Sequence, residues 1–187
     1  MFIGDSRTVQ MCIYLNNANT TKCEFSKNGA AGYEADGIMY ISQGSMGYNW
    51  FTNTAVSGAN KIKGNNPYNI VILIGVNDVG KSSGKTSADN YFNKVSDLAK
   101  NDWKNDNVIF VSVNPVVDGK SGAYMSGVNA FNTEMKSKIS SSNISNLKYC
   151  DTASSFTDSD TSSGDGLHYN AATYKKIKDK IQSDCLK

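Results

Sequence analysis

The chain has one histidine in 187 residues. Any serine–histidine mechanism must therefore run through His168, with no competing imidazole. Its four cysteines, Cys12, Cys23, Cys150 and Cys185, form no CxxC pair, which argues against a zinc site. No apolar run approaches the length needed to span a bilayer. No basic cluster exists either. The net charge is +2 and the lysines are scattered among acids, so nucleic acid and anionic membrane surfaces lose their electrostatic footprint. No signal peptide precedes Met1-Phe2-Ile3, which runs straight into Gly4-Asp5-Ser6. The first strand looks cut short, as in a domain trimmed from a longer chain with the methionine added. No internal repeat and no second domain are visible, so residues 1–187 read as one domain, large enough for a core. A hydrophobic fraction of 39% and an aromatic fraction of 10% exclude a disordered chain.

What is present is an alternation. Phe2-Ile3 is the stub of a first strand, and Arg7 to Leu15 can form a helix. Gly37 to Ile41 reads as a second strand, and Tyr48 to Val56 as a short helix. Asn69 to Ile74 and Asn107 to Val113 are β-branched and nearly all apolar, as strands buried on both faces are. Ser87 looks like an N-cap, with Tyr91, Val95, Leu98 and Ala99 following at helical spacing. Val128, Phe131, Met135 and Ile139 mark another helix, Leu147 to Cys150 a last strand, and Asn170 the cap of a final helix. The segment from Asn16 to Asp36 carries no clear signal. Strands alternating with helices imply an α/β fold whose parallel sheet is covered on both faces. Functional groups in such sheets gather at the carboxyl ends of the strands.

Four segments stand at or near those ends: GDS after strand one, SQGSMG after strand two, GVND after strand three, and Asp165-Gly166-Leu167-His168 before the last helix. Acyl transfer needs a nucleophile, a base, an orienting group and donors for an oxyanion. Ser6 can be the nucleophile, or merely cap the helix. Asp165 stands three residues before His168 and can hold one imidazole tautomer. The Ser6 N–H opens a helix, Gly44 lets backbone approach a ligand, and Asn77 offers a neutral NH2 donor.

Together these segments resemble the SGNH hydrolases, or GDSL esterases and lipases, whose letters stand for Ser, Gly, Asn and His in four blocks. The resemblance runs end to end and in the family's order. It implies a three-layer α/β/α, flavodoxin-like fold with a central parallel sheet of about five strands. It implies Ser6, Asp165 and His168 as catalytic residues and an oxyanion hole from Ser6, Gly44 and Asn77; no metal and no cofactor are expected, since no carboxylates cluster in sequence. Gly44 is chosen over Gly47 because it stands immediately past the predicted strand.

Arg7 departs from the leucine of the nominal GDSL. A solvated helix arginine is the favoured reading; a charge at the rim that meets an anionic substrate is the alternative. Tyr48, Asn114 and Tyr169 are candidate substrate contacts; Tyr48, Trp50 and Phe51 could form a sugar-stacking platform, but a core helix is the favoured reading of those three. Asp5 and Asp78 are expected to hydrogen-bond backbone in their turns. The cysteine order suggests Cys12 with Cys23 and Cys150 with Cys185, against four buried thiols. That pairing, and a chain rich in Asn, Ser, Thr and Tyr, point to an extracellular or cell-surface protein. The expected substrate is a small acyl ester or acylated saccharide, with short-chain O-acetyl esters foremost. An O-acyltransferase acting on polysaccharide is the alternative, and a non-catalytic carbohydrate-binding module the third. No nucleic acid or membrane span is expected, and a monomer is favoured.

Overall fold

The computed structural model describes residues 1–157, 160 and 164–186. Six strands form one sheet in the order β2-β3-β1-β4-β5-β6. These are β1 (Phe2–Gly4), β2 (Tyr33–Ala35), β3 (Ile38–Ser42), β4 (Asn69–Leu73), β5 (Asn107–Val111) and β6 (Leu147–Cys150). All neighbours run parallel except β2 against β3. Without β2, the order is that of a flavodoxin-like sheet, with β1 flanked by β3 and β4.

The strand residues alternate between two apolar layers, as a period of two requires. Ile3, Ile41, Ile72 and Phe110 face one layer, with Phe51, Tyr91, Leu98 and Phe131. Phe2, Tyr40, Val71 and Ile109 face the other, with Val9, Met11, Tyr174 and Ile177. The first layer belongs to α3 (Tyr48–Trp50), which continues through a π-helical turn (Phe51–Ala55) into α4 (Val56–Lys63), and to α5 (Gly84–Lys100) and α6 (Met125–Ser141). The second belongs to α1 (Ser6–Asn16) and α7 (Ala171–Lys180).

The segment that carried no signal holds a short helix, α2 (Thr20–Cys23), and the edge strand β2. A three-residue strand such as Tyr33-Glu34-Ala35 has too few alternations to be read; its pairing with β3 is a tertiary decision. The helix after β3 runs past Val56 to Lys63. Ser87 is not an N-cap: α5 begins at Gly84, and the Ser87 hydroxyl donates to the Asp78 carbonyl at 2.8 Å. Asn170 does cap α7, accepting from the Thr173 N–H.

Both cysteine pairings form, Cys12–Cys23 and Cys150–Cys185. They close loops of 11 and 35 residues. Loop-closure entropy then assigns them about 3 and about 4 kcal/mol. Urea unfolding should show losses of this order, larger when the second bridge is removed by Cys150→Ser with Cys185→Ser than when the first is removed by Cys12→Ser with Cys23→Ser, and largest when dithiothreitol reduces both. Equal stability of the reduced and oxidised protein would refute it.

Candidate active site

The carboxyl end of β1 turns into α1 within two residues. Gly4 allows this: a Cβ there would lie 1.9 Å from Thr8 Oγ1 and 2.4 Å from the Leu73 carbonyl oxygen. Asp5, not Ser6, is the helix cap. Its Oδ1 accepts from the Arg7 N–H at 3.0 Å. Ser6 occupies the first helical position, where its N–H has no intrahelical acceptor, and its hydroxyl is left for another partner.

That partner is His168. Ser6 Oγ lies 2.9 Å from His168 Nε2. On the far side of the ring, Nδ1 lies 2.6 Å from Asp165 Oδ2. Asp165 Oδ1 also accepts the backbone N–H groups of Leu167 and His168, each at 2.8 Å. Burial pushes the Asp165 carboxyl up, but the hydrogen bonds from the His168 ring and these two N–H groups outweigh it and hold it at about 2. An ionised carboxylate can only accept. The ring proton therefore sits on Nδ1, and Nε2 presents a lone pair to the Ser6 hydroxyl. Such a line can take a proton from serine and stabilise the imidazolium that results. A binding module with misplaced groups would lack it.

Asp5 is fully buried beneath this line. Burial pushes its carboxyl up to about 6, against the pull of the Arg7 guanidinium and N–H. A raised folded value means that the folded state takes up a proton between roughly pH 4 and pH 6. Stability is then fullest below pH 4 and falls as pH rises to 6, by at most about 3 kcal/mol. Asp5→Asn keeps the capping oxygen and removes the charge. It is expected to gain about 1–2 kcal/mol over the wild type at pH 7.5 and nothing at pH 4. Urea denaturation at the two pH values checks this, and a variant less stable at pH 7.5 would contradict it.

Gly44 is not free to serve the site. Its N–H donates to Glu24 Oε1 at 3.0 Å, and Glu24 in turn pairs with Lys27. The Asn77 amide points instead to the neighbouring peptide, with Nδ2 donating to the Met46 carbonyl at 2.7 Å. Gly47 follows directly and opens α3. A Cβ on Gly47 would lie 2.5 Å from Asp78 Oδ1, so this position tolerates only glycine without a shift. Asp78 does more than close its own turn: it accepts from the Tyr48 N–H at 3.1 Å and from the Tyr91 hydroxyl at 2.8 Å. Burial, then the Asp78 charge, raise the Tyr91 hydroxyl far above its ordinary value and keep it a donor. GVND thus joins β4 to the start of α3. Asn77 and Asp78 in GVND had a legible signal; the Tyr91 partner did not.

The candidate substrate contacts fare differently. Tyr48 is half-buried, its ring edge-on to Tyr91 at 5.1 Å, so it belongs to the core. Asn114 is buried, its Oδ1 accepting from the Thr152 hydroxyl at 2.7 Å. Tyr169 is 1% exposed, and its hydroxyl donates to the Pro115 carbonyl. Both side chains are buried, and with Arg7 they line a small internal cavity. Arg7 is neither a solvated arginine nor a rim charge: it is 8% exposed and its guanidinium is spent on backbone carbonyls. Gly80-Lys81-Ser82-Ser83-Gly84 spells G-x-S-x-G, but Ser82 is exposed in the turn that enters α5, not on a strand-to-helix elbow. Among the described residues no cluster of three metal-ligating side chains occurs, and no helix is long and apolar enough to cross a membrane.

The model of the GDSL-like lipase/acylhydrolase family matches residues 1–181. The chain belongs to this family. Solved structures agree on the fold. A GDSL-like lipase from Bacteroides thetaiotaomicron is 17% identical, with a TM-score of 0.64, over 97% of this chain and 84% of that one. A carbohydrate esterase family 3 protein from Talaromyces cellulolyticus is 16% identical, with a TM-score of 0.61, over 100% and 95%. An acetyl xylan esterase is 16% identical, with a TM-score of 0.63, over 99% and 100%. No curated protein matches the chain. As a GDSL acylhydrolase the protein is a carboxylic ester hydrolase.

Proposed function

We propose that the protein is a serine esterase that removes short acyl groups, acetyl foremost, from carbohydrate. The observation that carries this is the hydrogen-bonded line from Ser6 Oγ through His168 to Asp165, joined across 162 residues of chain. In this reading Ser6 Oγ attacks the ester carbonyl as its proton passes to His168 Nε2. The carbonyl π pair moves to oxygen. The oxyanion is met by the Ser6 N–H at the start of α1, by the second N–H of the Asn77 amide, whose first goes to the Met46 carbonyl, and by a backbone N–H, which falls to Gly47 because the single N–H of Gly44 is engaged. Collapse breaks the bond to the sugar oxygen, which leaves with the proton from His168. Water repeats the sequence on the acyl-enzyme: His168 takes its proton, hydroxide adds to the carbonyl, and Ser6 leaves with that proton.

The acyl and sugar preference has separate support. Asn77 and Asp165 are exposed and His168 is half-exposed, so a bulky alcohol portion can stay in solvent while its ester reaches Ser6. Structural neighbours include an acetyl esterase and an acetyl xylan esterase. Two disulfides support an oxidising, extracellular or cell-surface setting.

The test is a fluorophosphonate adduct mapped by mass spectrometry, with acetate release from acetylated xylo-oligosaccharides and from 4-nitrophenyl esters of rising chain length. An adduct on Ser6 and a preference for acetyl are expected. An adduct elsewhere overturns the nucleophile, and a preference for long chains overturns the acyl class. Transfer of acetyl to an added saccharide in excess of hydrolysis makes the protein an acyltransferase instead.

A further inference from the structure

The chain holds 18 lysines and one arginine. That arginine, Arg7, follows Ser6 and is buried. Its guanidinium makes three hydrogen bonds to carbonyls of two separate loops. Nε donates to the Leu167 oxygen at 2.9 Å, Nη1 to the Asn114 oxygen at 2.8 Å, and Nη2 to the Pro115 oxygen at 3.0 Å. Its Cζ stands 4.8 Å from the centre of the Tyr169 ring. The Tyr169 hydroxyl donates to the same Pro115 oxygen.

This arrangement needs an arginine. A lysine ammonium presents three donors from one point and cannot place them in a plane across two loops, nor lie flat on a tyrosine. Leu167 precedes His168, Tyr169 follows it, and Asn114-Pro115 is the exit of β5. Among the described residues, the loop that carries Asp165 and His168 includes no strand; its regular anchor begins only at α7. Peripheral bonds add to this, from the Val117 N–H to the Gly166 oxygen at 2.8 Å, from Lys120 Nζ to the Gly164 oxygen at 3.1 Å and from the Ser121 hydroxyl to the Asp165 oxygen at 3.3 Å, all before His168 and none to the helix that carries Ser6. Ser6 and His168 must meet within hydrogen-bond distance although they are anchored on different helices. Arg7 is fixed to the first helix by the chain and to the second loop by its side chain.

We propose that Arg7 is a positioning residue, a clamp that holds the His168 loop and the β5 exit against the helix start carrying Ser6. It touches no substrate. It acts by setting the distance and angle of the Ser6–His168 hydrogen bond, so its loss weakens the chemical step and leaves substrate binding in place. A displacement of about 1 Å at this point is worth about 100-fold in rate. The proposal rests on the serine-esterase reading above.

The chain's composition makes the test direct, because the single Arg and single His give NMR side-chain signals that need no assignment between residues. In the wild type the Arg7 Nε–H should persist against solvent exchange at pH 8. Arg7→Lys should fold, hold KM for 4-nitrophenyl acetate within about twofold, and lower kcat and fluorophosphonate labelling together by about 10- to 100-fold. Arg7→Ala should be partly restored by tens of millimolar free guanidinium, which fits the vacated site beside an existing cavity of about 30 Å3, and not by ethylammonium. Wild-type kcat in Arg7→Lys overturns the clamp. So does a loss matched by the unfolded fraction in urea titration, equal rescue by ethylammonium, or a freely exchanging Nε–H. If Arg7→Ala does not fold, the lysine variant and the wild-type signal decide. An active Ser6→Ala refutes the esterase reading itself; an inactive Ser6→Ala with a fully active Arg7→Lys refutes only the clamp.

Discussion

Ser6→Ala is expected to lower kcat on 4-nitrophenyl acetate by at least about 10,000-fold and to leave the fold as stable as before, within about 0.5 kcal/mol. The two halves follow from separate observations. Removing a serine nucleophile abolishes the covalent route and leaves only what the oxyanion donors and binding supply. Stability is spared because Ser6 is not the cap. Asp5 accepts the Arg7 N–H, and the contact of the Ser6 hydroxyl is with His168. Alanine is also the best helix former, suited to the first position of α1. A serine that merely capped the helix would give the reverse: about 1 kcal/mol lost and activity kept. Steady-state kinetics and urea unfolding on one preparation separate these outcomes, and retained activity would remove Ser6 from the mechanism.

Strands β4 and β5 were legible because, past a leading asparagine, their residues are all apolar. Asn69–Leu73 and Asn107–Val111 announce themselves, and Leu147–Cys150 was bounded correctly. β2 was not, since its three residues are held by β3 and not by any pattern of their own. At the site, Ser6, Asp165 and His168 were legible for a reason of economy: one histidine leaves one candidate. Gly44 against Gly47 was a choice between two glycines that look alike in sequence. It turned on Glu24, twenty residues earlier in a stretch without signal, whose carboxylate occupies the Gly44 N–H. Arg7 was misread because exposure statistics describe the average arginine. The scarcity of the residue, one among 18 lysines, was the sign that its geometry mattered.

Both disulfides bear on this frame without entering the chemistry. Cys12 lies on α1, the helix that begins with Ser6, and its partner Cys23 precedes Glu24. The bridge therefore fixes the far part of that helix to the residue that holds the Gly44 loop. Cys150 ends β6, and Cys185 lies in the π-helical turn after α7, the helix next to the His168 loop. Each bridge braces one of the two elements whose meeting brings Ser6 to His168, while Arg7 spans the junction itself.

Asp165→Asn is expected to lower kcat by about 10,000-fold with little change in KM, although the side chain stays the same size. The asparagine oxygen can still accept from the Leu167 and His168 N–H groups, as Asp165 Oδ1 does at 2.8 Å, so the loop keeps its turn. What changes is the atom facing the ring. An NH2 group in place of Oδ2 donates to His168 Nδ1, drives the proton to Nε2, and sets N–H against the Ser6 hydroxyl. The imidazole is then the wrong tautomer to accept a proton from serine. In the wild type the carboxyl is held at about 2, so it stays ionised down to roughly pH 3 and adds no acid limb to kcat/KM above that. Because its folded value is depressed, the preference it gives the folded state is complete above about pH 4 and fades as pH falls toward 2. The ring proton of the lone histidine reports the tautomer directly by NMR. A variant within tenfold of wild type, or one whose Nδ1 still carries the proton, would show that Asp165 shapes the turn without orienting the base.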